Sequence, residues 1–161
     1  KRYDKRWCTA MIGIDNIDRA LLRELQKNGS AKASDLGKAV GLSQSAAWRR
    51  IKRLEDAKVI NGKRIVLDAV KLGFSVTVFL GVKLAAKGRV SLEDFERAVS
   101  AVPEVQLVQH VLGMYDYRLK VVATDLSDFE RVLRRRIMTL PGVGDVEANV
   151  LLSEEKRNFV I

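Results

Sequence analysis

In the first third of the chain apolar residues recur at helical spacing. Ile17, Leu21, Leu22 and Leu25 form one stripe behind Asp15, a residue suited to cap a helix, and Gly29 after Asn28 is placed as its left-handed stop. A second, shorter helix is predicted from about Ser34 to Val40, with Leu36, Ala39 and Val40 apolar. Gly41-Leu42-Ser43 then turns the chain straight into a third helix, Ser43 to Glu55, with Ser43 as N-cap. Ala47, Ile51 and Leu54 fall on one face of it. Ser45, Arg49, Lys52 and Arg53 fall on the other, flanked by Gln44 and Trp48. Close crossing of two helices wants a small residue in the first, here Gly37, and a glycine in the turn, here Gly41. The spacing is that of a helix-turn-helix.

Beyond Asp56 the pattern changes to strands. Val59-Ile60 and Ile65-Val66-Leu67 flank Asn61-Gly62, which predicts a type I′ hairpin with Lys63 and Arg64 at or near its tip. That end reads equally as a basic wing on a phosphate backbone or as an ordinary exposed hairpin. From Phe74 to Leu84 apolar residues alternate, predicting a long strand that Lys87-Gly88 breaks. Ser91-Leu-Glu-Asp94 resembles a capping box opening a helix with Leu92, Phe95, Ala98, Val99 and Val102 apolar, ended by Pro103-Glu104. Val105 to Leu112 and Tyr117 to Ala123 read as strands around a Gly113–Asp116 turn. A helix capped by Asp125 or Ser127 follows, with Leu126, Phe129, Val132, Leu133 and Ile137 inward. Leu140-Pro141-Gly142-Val143 stops it, and Val146 to Leu152 is the last strand. The predicted fold class is α+β: an N-terminal winged helix-turn-helix followed by a ferredoxin-like β-α-β-β-α-β module. The boundaries are 1–11 for a tag or arm, 12–60 for the helical module, 61–73 for hairpin and linker, and 74–161 for the sheet module. One sheet face, carrying Phe79 or its alternates, is left uncovered, and pairing with a second copy is the natural way to close it.

Charge sharpens this division. The 161 residues hold 29 Lys or Arg and 20 Asp or Glu, a net +9. Residues 1–11 contribute four basic and one acidic residue, residues 12–65 twelve and six, and residues 66–161 thirteen of each. All the excess is N-terminal, so only the first module is expected to face an anionic partner. Arg131, Arg134, Arg135 and Arg136 sit near Asp128 and Glu130 at helix-pair spacing, which predicts a self-paired, solvated face. No apolar run approaches the roughly 20 residues of a membrane helix, and no signal-peptide pattern opens the chain; a cytoplasmic protein is expected. Cys8 and His110, the one cysteine and the one histidine, cannot form a structural zinc site by themselves, and no feature brings them together as a catalytic pair; no metal or cofactor is expected. Met11 reads as a natural start, with Lys1 to Ala10 either vector-derived or a basic arm.

On the third helix, Arg49 and Arg53 lie four apart and repel by about 0.2–0.5 kcal/mol, a cost that suits a face built to meet a polyanion. Gln44, Ser45, Trp48 and Arg49, with Ser43 at the cap, are nearest the helix start and are expected to reach base edges. Arg50, Lys52, Arg53 and Lys63 are expected to touch phosphates. Two of these have a second reading: Trp48 packs on the neighbouring helix or wedges against DNA, and Arg50 touches phosphate or braces the helix pair.

These residues resemble the Lrp/AsnC family of feast/famine transcription regulators. The resemblance rests on Ile17-Asp18-Arg19-x-Leu21-Leu22-x-x-Leu25-Gln26, Val40-Gly41-Leu42-Ser43 and Arg49-Arg50-Ile51-Lys52-Arg53-Leu54-Glu55-Asp56. In the second module it rests on Pro103-Glu104-Val105, Gly113-x-Tyr115-Asp116-Tyr117-x-Leu119-Lys120-Val121 and Leu140-Pro141-Gly142-Val143. It spans about Ile14 to Leu152. It implies a sequence-specific regulator of double-stranded DNA, a homodimer through the C-terminal module that assembles to tetramers or octamers, and a small effector, usually an amino acid. The effector would meet Gly113, Tyr115, Asp116, the strand from Tyr117, and Asn149, which with Ala148 stands where many members carry Thr or Ser. On the residues alone, Gly113 admits close backbone approach and Asp116 suits an ammonium, but both also serve a plain turn. Lys63 replaces a commonly aromatic wing position. Sirohaem decarboxylases look similar to the family in both modules and would make His110 a catalytic or haem-contacting group; the intact basic helix argues for a regulator instead.

Overall fold

The computed structural model describes residues 12–85 and 89–155; residues 1–11 and the Lys87-Gly88 break lie outside the described residues. The chain divides into two compact units between Val66 and Leu67.

The first unit is three helices, α1 (Asn16–Lys27), α2 (Ala33–Val40) and α3 (Gln44–Asp56). Leu21, Leu36 and Ala47, one from each helix, form its buried centre, with Ile17, Leu25, Val40, Leu42 and Ile51 packed around it. Full burial of a leucine is worth about 1.5–3 kcal/mol, so a centre this small needs its helix ends fixed by other means. Asp15 caps α1 by accepting from the Asp18 N–H, and the Asp18 side chain accepts from the Asp15 N–H in return. Ser43 caps α3 through the Ala46 N–H. Between α2 and α3, Gly41 takes the left-handed conformation at φ 71°. Gly37 lets the next turn pass over it: a Cβ there would lie 2.8 Å from the Leu42 carbonyl oxygen and 3.2 Å from that of Ser43.

Two expectations for this unit fail. Gly29 is not the left-handed stop of α1, because the extended Asn28 already ends the helix by donating its N–H to the Glu24 carbonyl. The predicted wing is also missing within the chain: residues 59–67 pair in no ladder. Val59 and Ile60 instead donate their N–H groups back to the Leu54 carbonyl, through a left-handed Lys58 at φ 58°. Their backbone therefore belongs to the end of α3. Asn61 lacks the positive φ that a type I′ turn requires, and Ile65, Val66 and Leu67 lie exposed.

The second unit is a four-stranded antiparallel sheet in the order β2-β3-β1-β4. The elements run β1 (Val76–Leu84), α4 (Arg89–Ser100), β2 (Val105–His110), β3 (Tyr117–Ala123), α5 (Leu126–Val132) with a π-helical turn Leu133–Ile137, and β4 (Val143–Val150). This is the ferredoxin-like arrangement. Alternation decides its layers: Val78, Leu80, Val82 and Leu84 of β1 pack with Tyr117, Leu119 and Val121 against Phe95 and Val99 of α4 and Phe129, Val132 and Ile137 beyond. Phe79, Gly81 and Lys83 point to the opposite, open face. Several boundaries shift from expectation. Strand β1 begins at Val76, not Phe74, and α4 begins two residues before Ser91, so Ser91 is not its cap. Strand β2 stops at His110 because the Val111 N–H turns to the Asp116 carbonyl, and β4 starts at Val143, directly after the left-handed Gly142. Leu126 is exposed, not inward, since Asp125 caps the helix and sets Leu126 on its outer face.

Gly37→Ala is expected to destabilise the first unit by roughly 1–3 kcal/mol, the cost of inserting a methyl where backbone has no room to yield. Urea unfolding followed by circular dichroism checks this, with a loss no larger than that of Gly13→Ala, where a Cβ meets nothing within 4 Å, as the contrary result.

Candidate functional site

The basic helix is held by one buried carboxylate. No part of Asp18 is exposed, and it meets both Arg50 and Arg53 one turn apart on α3. Arg50 Nη1 donates to Asp18 Oδ1 at 2.9 Å and to Asp15 Oδ2 at 2.6 Å, while Arg53 Nη2 donates to Asp18 Oδ2. The capping box of α1 thus doubles as the dock for α3. Asp15 is held below its ordinary carboxylate range, first by the Asp18 N–H and then by the Arg50 guanidinium. A lowered pKa means that the stabilisation is complete above the ordinary value near 3.8 and is lost as pH falls through the lowered one. Lys52 is paired within the helix to Asp56 at 3.0 Å, which raises its pKa.

This redistributes the expected phosphate contacts. Arg50 takes the bracing role of its two readings. Arg53, expected to be a phosphate contact, joins it on Asp18, although its side chain stays about half exposed. Lys63 lies exposed in the extended segment after α3, with no wing to carry it. The first two turns of α3 look different. Ser43, Gln44, Ser45 and Trp48 line an open depression, Trp48 is 57% exposed, and exposed Arg49 makes no ion pair among the described residues. Trp48 therefore leaves more than half of its surface open to solvent.

In the second unit the expected effector residues separate. Tyr117 faces the helices, buried, with its ring against Phe95 at 4.7 Å and its hydroxyl donating to Glu96 Oε1 at 2.7 Å. Burial and then that carboxylate push its pKa well up, and its side chain belongs to the core beneath the helices. Its β-partner His110 stacks on it at 4.8 Å on the same face. Asp116 ends β1: its Oδ2 accepts the Leu84 N–H at 2.9 Å, and its own N–H donates to the Val82 carbonyl at 3.0 Å. Tyr115 and Asn149 do come together on the open face. The Tyr115 ring sits on Gly81, where a Cβ would lie 2.6 Å from it, and its hydroxyl donates to Glu147. Asn149 Nδ2 donates to the other Glu147 oxygen at 3.1 Å. Gly113 stays open at the tip of the turn. Beside them Arg118 lies 4.9 Å over the Phe79 ring. Sequence reasoning missed Glu147 and Gly81, which become neighbours only through the β1–β4 register. It missed Asp18 too, although the Asp15-x-x-Asp18 spacing carries the capping-box signal.

Of the arginines in and after α5, two pair along the helix as expected, Arg131 with Asp128 and Arg134 with Glu130 at 2.9 Å, while Arg136 pairs instead with Glu104 of the neighbouring segment at 2.9 Å. Among the described residues no His, Cys, Asp or Glu cluster suits a metal ion, and no helix is long and apolar enough to cross a membrane.

Comparison with known proteins addresses both units. Residues 14–55 match the AsnC-type helix-turn-helix domain, and residues 77–161 match the Lrp/AsnC ligand binding domain. The transcriptional regulator AzlB of Bacillus subtilis is 33% identical over 150 residues, covering 93% of this chain and 96% of its own. The leucine-responsive regulatory protein of Haemophilus influenzae is 36% identical, covering 92% and 90%. Among solved structures, a Neisseria meningitidis transcriptional regulator in complex with L-methionine superposes with a TM-score of 0.85 at 30% identity, covering 90% of this chain and 94% of that one.

Asp18→Ala is expected to cost roughly 1.5–3 kcal/mol of unfolding free energy, the worth of hydrogen bonds to charged groups, since both arginines can return to water. Urea titration measures it; a change within about 0.5 kcal/mol, like that of an ordinary surface site, would contradict the docking role.

Proposed function

The chain belongs to the Lrp/AsnC family of transcription regulators, and from that premise we propose that the first two turns of α3 read DNA sequence while an amino acid tunes the second unit. The observation that carries this is the division of cations on α3. Arg50 and Arg53 grip Asp18 and fix the helix, whereas Gln44, Ser45, Trp48 and Arg49 are left turned outward. A helix so presented enters a major groove by its N-terminal end, where Arg49 suits guanine O6 and N7 and Gln44 suits adenine N6 and N7. Ser43, Lys52, Arg53 and the exposed Lys63 would meet phosphate oxygens. The enzyme alternative is set aside: the relatives are transcription regulators, and His110 is an exposed strand residue stacked on the Tyr117 ring.

The proposed effector is an amino acid, as in the solved relative bound to L-methionine and in a Mycobacterium tuberculosis feast or famine regulatory protein complexed with the same ligand. Its surface is the Gly113–Asp116 turn with Tyr115 and Asn149 on the open sheet face, where polar groups and a bare backbone stand together. Covering that face by a second copy gives the homodimer, and dimers assembling further give tetramers or octamers. The protein would act in the cytoplasm, beside its DNA.

Arg49→Ala is expected to leave the unfolding midpoint unchanged and to lose about 1–3 kcal/mol of discrimination at one base pair. Arg53→Ala should lower both the midpoint and the affinity for every duplex. Equal behaviour of the two variants would refute the division of roles. Thermal-shift screening against the amino acids tests the effector: at 100 times its Kd a ligand adds about 2.7 kcal/mol, and no shift with any of them refutes an amino-acid effector.

A further inference from the structure

Trp48 is the large apolar side chain that α3 leaves most exposed. Ala47 and Leu54 are fully buried, while 57% of Trp48 is exposed. At 100° per residue it lies 40° round from Gln44 and one turn further along, on the opposite flank of Ser45 from Arg49. The face that meets DNA therefore presents a guanidinium on one flank and a bare indole on the other. With Ser43, Gln44 and Ser45 the indole borders the open depression at the helix start.

An indole at that position has one partner of matching chemistry. Major-groove edges are rows of hydrogen-bond donors and acceptors, and the apolar group among them is the C5-methyl of thymine. An exposed aromatic ring pressed into the groove gains by covering that methyl and desolvates base polar groups without return where it is absent. The amide of Gln44, next to it, suits the adenine that pairs with such a thymine.

We infer that Trp48 is a specificity-determining residue that recognises a thymine through its C5-methyl. The inference rests on the DNA-reading role of α3 and goes beyond it by naming the base and the group. The test uses the full chain and the duplex that it enriches most strongly from a random-sequence library. Each thymine in turn is replaced by deoxyuridine, which keeps every hydrogen bond and removes only the methyl. At one thymine per half-site the wild-type chain should bind about fourfold more weakly, the worth of one buried methyl group. Trp48→Ala, its folding checked by its melting temperature, should bind the thymine and uridine duplexes alike. Equal wild-type affinity for every substituted duplex would overturn the inference, as would a thymine preference that survives in Trp48→Ala. A chain that enriches no duplex at all would overturn the DNA reading itself, and this inference with it.

Discussion

The contact between Asp18 and the two arginines of α3 governs what the first unit can present. A three-helix unit of this size has few buried side chains with which to fix a crossing angle. Here the angle is set by a carboxylate shielded from water and gripped at both oxygens by groups one helical turn apart. Two grips along a helix resist rotation about its axis as well as translation, which one cannot do. The carboxylate is itself oriented by the cap of α1, so the start of one helix and the middle of another share a single set of hydrogen bonds. Burial of Asp18 is acceptable because the charge is matched and its oxygens are filled.

The same contact changes the meaning of the chain's positive charge. Counted along the sequence, α3 is a uniformly basic helix. In space its second half is largely matched, Arg50 and Arg53 by the α1 cap and Lys52 by Asp56, while Arg49 in its first half is left without an ion pair. Matched cations still contribute to a positive potential at a distance and, where half exposed, can still touch a phosphate, but they have fewer donors free to read a base edge. On the proposed reading, long-range attraction and base reading come from different residues of one helix.

Much of this was legible in the sequence. The stripe of Ile17, Leu21 and Leu25, the Gly37 and Gly41 crossing, the alternation from Val76 to Leu84 and the β-α-β-β-α-β order all follow from periodicity and glycine placement. What failed had competing local explanations. Asn61-Gly62 between apolar pairs reads as a hairpin, but Val59 and Ile60 use their N–H groups to finish α3, leaving nothing to pair. Tyr117 entered as an effector contact through the family resemblance, and strand parity puts its side chain under the helices. Arg53 looked like a phosphate contact, and Arg50 kept two readings, because nothing in a linear pattern places an acid from 32 or 35 residues earlier against them. Cross-strand meetings such as that of Tyr115 and Glu147 need the register, which sequence alone does not supply.

Gly81 and Tyr115 carry one more consequence, for the history of the sequence. The ring occupies the space where any side chain at position 81 would begin, so the two positions cannot drift independently. A lineage can shrink residue 115 first, leaving a hollow on the open face, and only then enlarge residue 81. The reverse order passes through a form in which ring and new side chain claim the same volume. Change at this spot is therefore directional, and descendants are expected to retain Gly81 for as long as they retain an aromatic ring at position 115.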